Sequence, residues 1–232
     1  MFWIIVIGFM LAGWLVSYRL KSKFRKYSKV PLQSGLSGAE IAEKMLRDHR
    51  IHDVQITCVP GSLTDHYNPA TKTVNLSEAV YYGQNAASAA VAAHECGHAV
   101  QHASAYSFLE LRSTLVPVQN VSSKILNFIF IGMFASYFFL GSGVFPMDTA
   151  LLIVIACYGV ITLFSVITLP VEFDASKRAL AWIDEQGVVT GQEYSMSKDA
   201  LNWAAMTYAV AALSSIAMLL YYVAQYLGMS SD

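Results

Sequence analysis

Four stretches of this chain, residues 2–18, 125–140, 149–169 and 204–227, contain no ionised side chain. Each is roughly the 20 residues that cross about 30 Å of bilayer hydrocarbon. Lipid offers the backbone no hydrogen-bond partner, so a crossing segment of this kind has to be a helix. Four transmembrane helices are the simplest expectation, with the shorter 125–140 block open to being a buried core helix or a re-entrant segment instead. Composition agrees: 55% of residues are hydrophobic and 13% charged, against about 25% charged in ordinary soluble domains.

The basic residues suggest an orientation. The first block has no basic region before it and no small-residue cleavage site after it, so it reads as a retained anchor. Arg19, Lys21, Lys23, Arg25, Lys26 and Lys29 follow at once. By the positive-inside rule this cluster lies on the cytoplasmic side and the N-terminus outside. Lys124, Lys177, Arg178 and Lys198 fall on the same side in a four-span reading, whereas the connection 141–148 and the tail 228–232 hold no Lys or Arg. The net charge of -1 gives no reason to expect a nucleic-acid partner. The basic cluster is explained by anionic lipid and topology.

Between the first two blocks lie roughly a hundred residues, 21–124, that are water-soluble in character. Ser37-Gly38-Ala39-Glu40 is a capping box, and Ile41, Met45 and Leu46 make the following helix amphipathic, ending near His52. Residues 53–59 and 71–76 alternate as strands, with Pro60-Gly61 as a turn. An uninterrupted helix is expected over residues 86–103, and it contains His94-Glu95-Cys96-Gly97-His98. On a helix the two histidines stand one turn apart on one face and can share a metal ion. Glu95 is placed beside them to act as a general base in hydrolysis.

A catalytic zinc site takes a third protein ligand. The best candidate is Glu172, in Leu169-Pro170-Val171-Glu172-Phe173-Asp174-Ala175-Ser176, where the third block should return to the cytoplasm. The alternative is an ordinary carboxylate at a helix N-terminus after Pro170. Asp174 is the second choice of ligand, or an acceptor for a histidine Nδ1–H. His102 lies one turn beyond His98, but three stacked imidazoles do not converge on one tetrahedral ion, and it reads as structural. His66 and Tyr67 precede the second strand, where either could donate to a tetrahedral intermediate; a turn held by Asp65 and Asn68 is the alternative. Cys58, Cys96 and Cys157 suggest no disulfide framework, and Cys96 should face away from the metal.

The run GSLTDHYNPATKTVNLSEAVYYGQNAASAAVAAHECGHAVQHA, followed by a hydrophobic hairpin and LPVEFDASKRAL, resembles the YugP-type family of bacterial membrane zinc metallopeptidases. The likeness covers nearly the whole chain, from the helix at Ser37 to the last block. It implies a gluzincin-like site with His94, His98 and Glu172 on zinc and Glu95 as base, in a multi-pass protein of the bacterial plasma membrane. More distantly the chain resembles HtpX-like and CAAX prenyl-protease peptidases, whose second motif is E-x-x-A-D. Glu172 and Ala175 fit that motif, and Ser176 stands where the Asp would be.

The expected architecture is therefore a mainly α membrane protein: an anchor (1–20), a small α+β zincin-like cytoplasmic unit (21–124), a transmembrane hairpin (125–170), a cytoplasmic segment carrying the third ligand (171–203) and a last transmembrane helix (204–232). Its partners would be a protein or peptide substrate associated with the membrane, lying extended along residues 71–77 as an edge strand, and the bilayer itself. An oligomer or accessory membrane partner is compatible with the sequence. Two other readings share the same residues: a metal-stabilised scaffold without catalysis, and a metal-dependent hydrolase of a lipid or small amide.

Overall fold

The computed structural model describes residues 1–140 and 147–229. Residues 141–146 of the expected connection and 230–232 of the expected tail lie outside the described residues. In chain order the elements are α1 (Phe2–Tyr27), α2 (Gly38–Asp48), β1 (Gln55–Val59), β2 (His66–Asn68), β3 (Thr73–Ser77), α3 (Glu78–Tyr81), α4 (Ala86–Ala103), α5 (Ser107–Leu140), α6 (Met147–Glu185) and α7 (Gly191–Met229).

Among the described residues, three helices are long and apolar enough to cross a membrane: α1 with 26 residues, and α6 and α7 with 39 each. The expectation of four is corrected to three. The block at 125–140 is helical, as the end of α5, but it is the shortest of the four apolar stretches and is bounded by Lys124. The expected boundary at Pro170, between the transmembrane hairpin (125–170) and the segment 171–203, falls within a single helix. α6 runs through the proline without a break. Proline removes one N–H and strains the preceding turn, and helices with packed neighbours absorb that defect.

Two compact units divide the chain. One gathers residues 1–13, 111–169 and those from 208 onward. Its core packs Leu126 of α5 with Val154 and Cys157 of α6 and Met218 and Tyr222 of α7, and Phe2, Ile5 and Val6 of α1 lie against them. Phe128, Ile131 and Phe134 are exposed on α5, as side chains that face lipid can be.

The other unit comprises residues 14–110 and 170–207. Its α2 begins with the expected capping box: Ser37 accepts from the Glu40 amide, and Glu40 reaches back to the Ser37 amide at 2.8 Å. Ile41, Met45 and Leu46 of α2 are buried with Val74 and Leu76 of β3, Ala89, Ala93 and Cys96 of α4, and Ala179 and Ile183 of α6. Asn85 caps α4 by accepting from the Ser88 amide at 3.0 Å. Alanine along α4 lets neighbours approach on nearly every side, so this short helix is buried almost all round.

The sheet order is β1-β3-β2, with β1 parallel and β2 antiparallel to β3. This corrects the expectation that residues 71–77 form an edge strand: β3 is central, and β2 is one of the two edges. Val74 and Leu76 point into the core, and Tyr67 stands opposite Val74, so Tyr67 shares the core face. His66 stands opposite Asn75 and points to the other face.

Candidate metal centre

His94 and His98 lie one turn apart on α4, with ring centroids 4.8 Å apart and planes near perpendicular at 80°. Both Nε2 atoms face Glu172 of α6: its Oε2 lies 3.3 Å from His94 Nε2 and 3.6 Å from His98 Nε2. Glu172 is buried at 2% exposure, and His98 at 7%. Zinc holds nitrogen and oxygen at about 2.0–2.2 Å, so tetrahedral ligands stand about 3.3–3.5 Å from one another. Two imidazoles and a carboxylate at these separations fit zinc in donor type and spacing. Among the described residues, these three are the one group of His, Cys, Asp or Glu whose donor atoms cluster closely enough to hold an ion.

Electrostatics suit a cation. Burial opposes ionisation of Glu172, but hydrogen bonds and charge from His94 and His98 outweigh it and hold the carboxyl well below its usual range. Burial would lower His98, yet the Glu172 carboxylate beside it holds the imidazole above its ordinary value. A carboxylate kept ionised in a dry pocket is the form that ligates a metal.

Around the donors lies a set of polar supports. His94 Nδ1 is 3.1 Å from Ser176 Oγ, so the serine at the motif's Asp position meets the histidine directly. His98 Nδ1 is 3.0 Å from Gln101 Oε1, and Gln101 Nε2 donates to Val171 O at 2.8 Å and Asp174 Oδ2 at 2.9 Å. Arg178 Nε donates in turn to Asp174 Oδ2 at 2.5 Å. Asp174 is thus outside the donor cluster and reaches His98 through Gln101. Gln101 is not singled out by sequence; the available signal is an amide one turn past His98 on the same alanine-rich helix.

Glu95, buried at 8% exposure, follows His94 directly, and its Oε2 accepts from the Tyr67 amide at 3.0 Å. The Tyr67 hydroxyl lies 2.7 Å from His102 Nδ1, and burial, then the charge of Asp53, push the phenol upward. His66 is exposed, with Nδ1 2.8 Å from Thr64 O. The structure therefore brings Tyr67 to Glu95 by its backbone and sends its side chain to His102. Cys96 points into the core, where burial pushes its thiol far up.

A helical H-E-x-x-H turn whose two imidazoles meet a buried glutamate from a second helix is the metal site of a zinc-peptidase class of protein, carried here by a chain with three membrane-length helices. The chain belongs to the family described as "Putative neutral zinc metallopeptidase", which it matches over residues 2–227. It is 40% identical over 215 residues to the "Putative membrane protease YugP" of Bacillus subtilis (strain 168), covering 92% of this chain and 90% of that protein. No solved structure matches the chain.

Proposed function

We propose that the protein is an integral-membrane zinc endopeptidase of the gluzincin-like kind. Its substrates would be membrane proteins, or segments exposed beside the membrane. The observation that most supports this is the convergence of His94, His98 and Glu172 on one point, with Glu95 next in the chain. Zinc held by those three residues supplies a Lewis acid that polarises a carbonyl and activates water near neutral pH.

The protein's own groups do the remaining work. Glu95 takes the proton of the attacking water and passes it to the departing amine nitrogen as the C–N bond breaks, leaving a carboxylic acid and an amine. The Tyr67 amide holds Glu95 Oε2 in place, and Oε1 is the oxygen assigned to the proton. In an antiparallel pair, N–H and C=O groups turn alternately toward and away from the partner strand. Since the Tyr67 N–H points at Glu95, its carbonyl also faces the open side of β2, where an extended substrate backbone would lie.

The site is assigned to the cytoplasmic face, because Arg19 to Lys29 follow the apolar part of α1 and belong with the metal-binding unit. Incubation of the detergent-solubilised protein with an unfolded polypeptide, followed by mass spectrometry of new termini, tests the reading. Cleavage at internal peptide bonds that disappears in Glu95→Gln is expected. Unchanged cleavage in Glu95→Gln, or release of fatty acid from lipid with no peptide cut, would contradict it.

A further inference from the structure

Gln101 is fully buried and makes three hydrogen bonds, two of them to groups of fixed character. Val171 O and the Asp174 carboxylate can only accept, so the end of the amide that meets them is the NH₂. The other end, Oε1, is then an acceptor facing His98 Nδ1, which has to carry a proton to make that bond. With its proton on Nδ1, a neutral His98 keeps a lone pair on Nε2, the atom aimed at Glu172 and the metal position. His94 has no such constraint, because the Ser176 hydroxyl beside its Nδ1 can either donate or accept.

We propose that Gln101 is a positioning residue of the metal centre: it fixes the His98 tautomer that can bind an ion, and it ties that ring to the turn of α6 that carries Glu172. The proposal rests on the zinc reading above. Gln101 joins the two halves of the donor set, since Val171 is the residue before Glu172 and Asp174 lies two beyond it. The Arg178 guanidinium donates to Asp174 and so holds the carboxylate that orients the amide. An amide does not titrate, so this hold on His98 persists at any pH at which the protein is folded. Outer partners of this kind are typically worth about 10- to 100-fold in metal affinity.

The test is zinc affinity of the full-length protein in detergent, measured by competition with a chromogenic chelator. Gln101→Leu is expected to bind about 10- to 100-fold more weakly than the parent. If Gln101→Leu matches a zinc-binding parent, the proposal is overturned while the zinc reading stands. A parent that binds no zinc would instead remove the zinc reading itself. A second readout needs no substitution: in the zinc-loaded parent, the His98 Nδ1 proton should exchange slowly with water, and exchange as fast as that of an exposed imidazole would also overturn the assignment.

Discussion

Gly97 of α4 lies directly against the backbone of Ala175 on α6: a Cβ built on Gly97 would stand 2.6 Å from the Ala175 carbonyl oxygen and 3.2 Å from its Cα. This close approach brings the His94–His98 face within reach of Glu172, which is one turn from Ala175 on the same helix. Gly97 leaves no room for a side chain at this point, and Ala175 is itself fully buried.

Gly97→Ala should therefore damage both the fold and the metal centre. In an exposed helix the change would stabilise by up to about 1 kcal/mol. Here the added methyl meets backbone, which cannot swing aside, and forcing it in costs about 1–3 kcal/mol. The expected outcome is a lower unfolding midpoint together with weaker zinc binding. A variant more stable than the parent would show that the two helices are not in contact at this point.

Tyr67 separates two roles that its position in the chain cannot distinguish. Its amide, present in any non-proline variant, serves Glu95, whereas its hydroxyl serves His102. Tyr67→Phe should lose about 1 kcal/mol of stability from the broken hydrogen bond and keep peptidase activity within about threefold. His66→Ala should also keep activity, because that side chain lies on the sheet face away from the core and α4. A fall of about 100-fold in kcat in either variant, with zinc retained, would instead give that side chain the role of oxyanion donor.

Much of this site is legible in the amino-acid sequence, because its signals are local. The absence of proline and the alanine run mark out α4 over the residues it occupies, and H-E-x-x-H and the Glu172 motif are short strings on helices. What is not legible depends on distant partners. β2 has three residues, too few to alternate visibly, so sequence alone makes β3 look like the edge. Pro170 lies inside α6, and a proline alone does not reveal that packing carries the helix through it. Gln101 bonds to residues 70 or more positions away, and helical periodicity says nothing about such a partner.

The pH dependence of the zinc-stripped protein follows from two opposed shifts. Glu172 is held below its ordinary value of 4.5, so its contribution to stability is present above that pH and is lost as pH falls toward the folded value. His98 is held above its ordinary 6.5, so its contribution is present below that pH and fades as pH rises through the folded value. Thermal unfolding should therefore show a maximum between about pH 4.5 and 6.5 that is blunted in Glu172→Gln. Zinc should remove the alkaline decline, since it binds the neutral imidazoles. A parent and a Glu172→Gln variant with superimposable profiles would contradict the pairing.

The central claim is that His94, His98 and Glu172 hold one zinc ion and that Glu95 acts on the substrate without holding it. Its most direct test is the zinc content of the detergent-purified parent beside His98→Ala, Glu172→Ala and Glu95→Gln, with peptidase activity measured on the same samples. The account predicts about one zinc per chain in the parent and in Glu95→Gln, loss of zinc in the two ligand variants, and activity at least about 100-fold lower in Glu95→Gln. A parent without zinc, a Glu172→Ala variant that keeps it as tightly, or a fully active Glu95→Gln would contradict it.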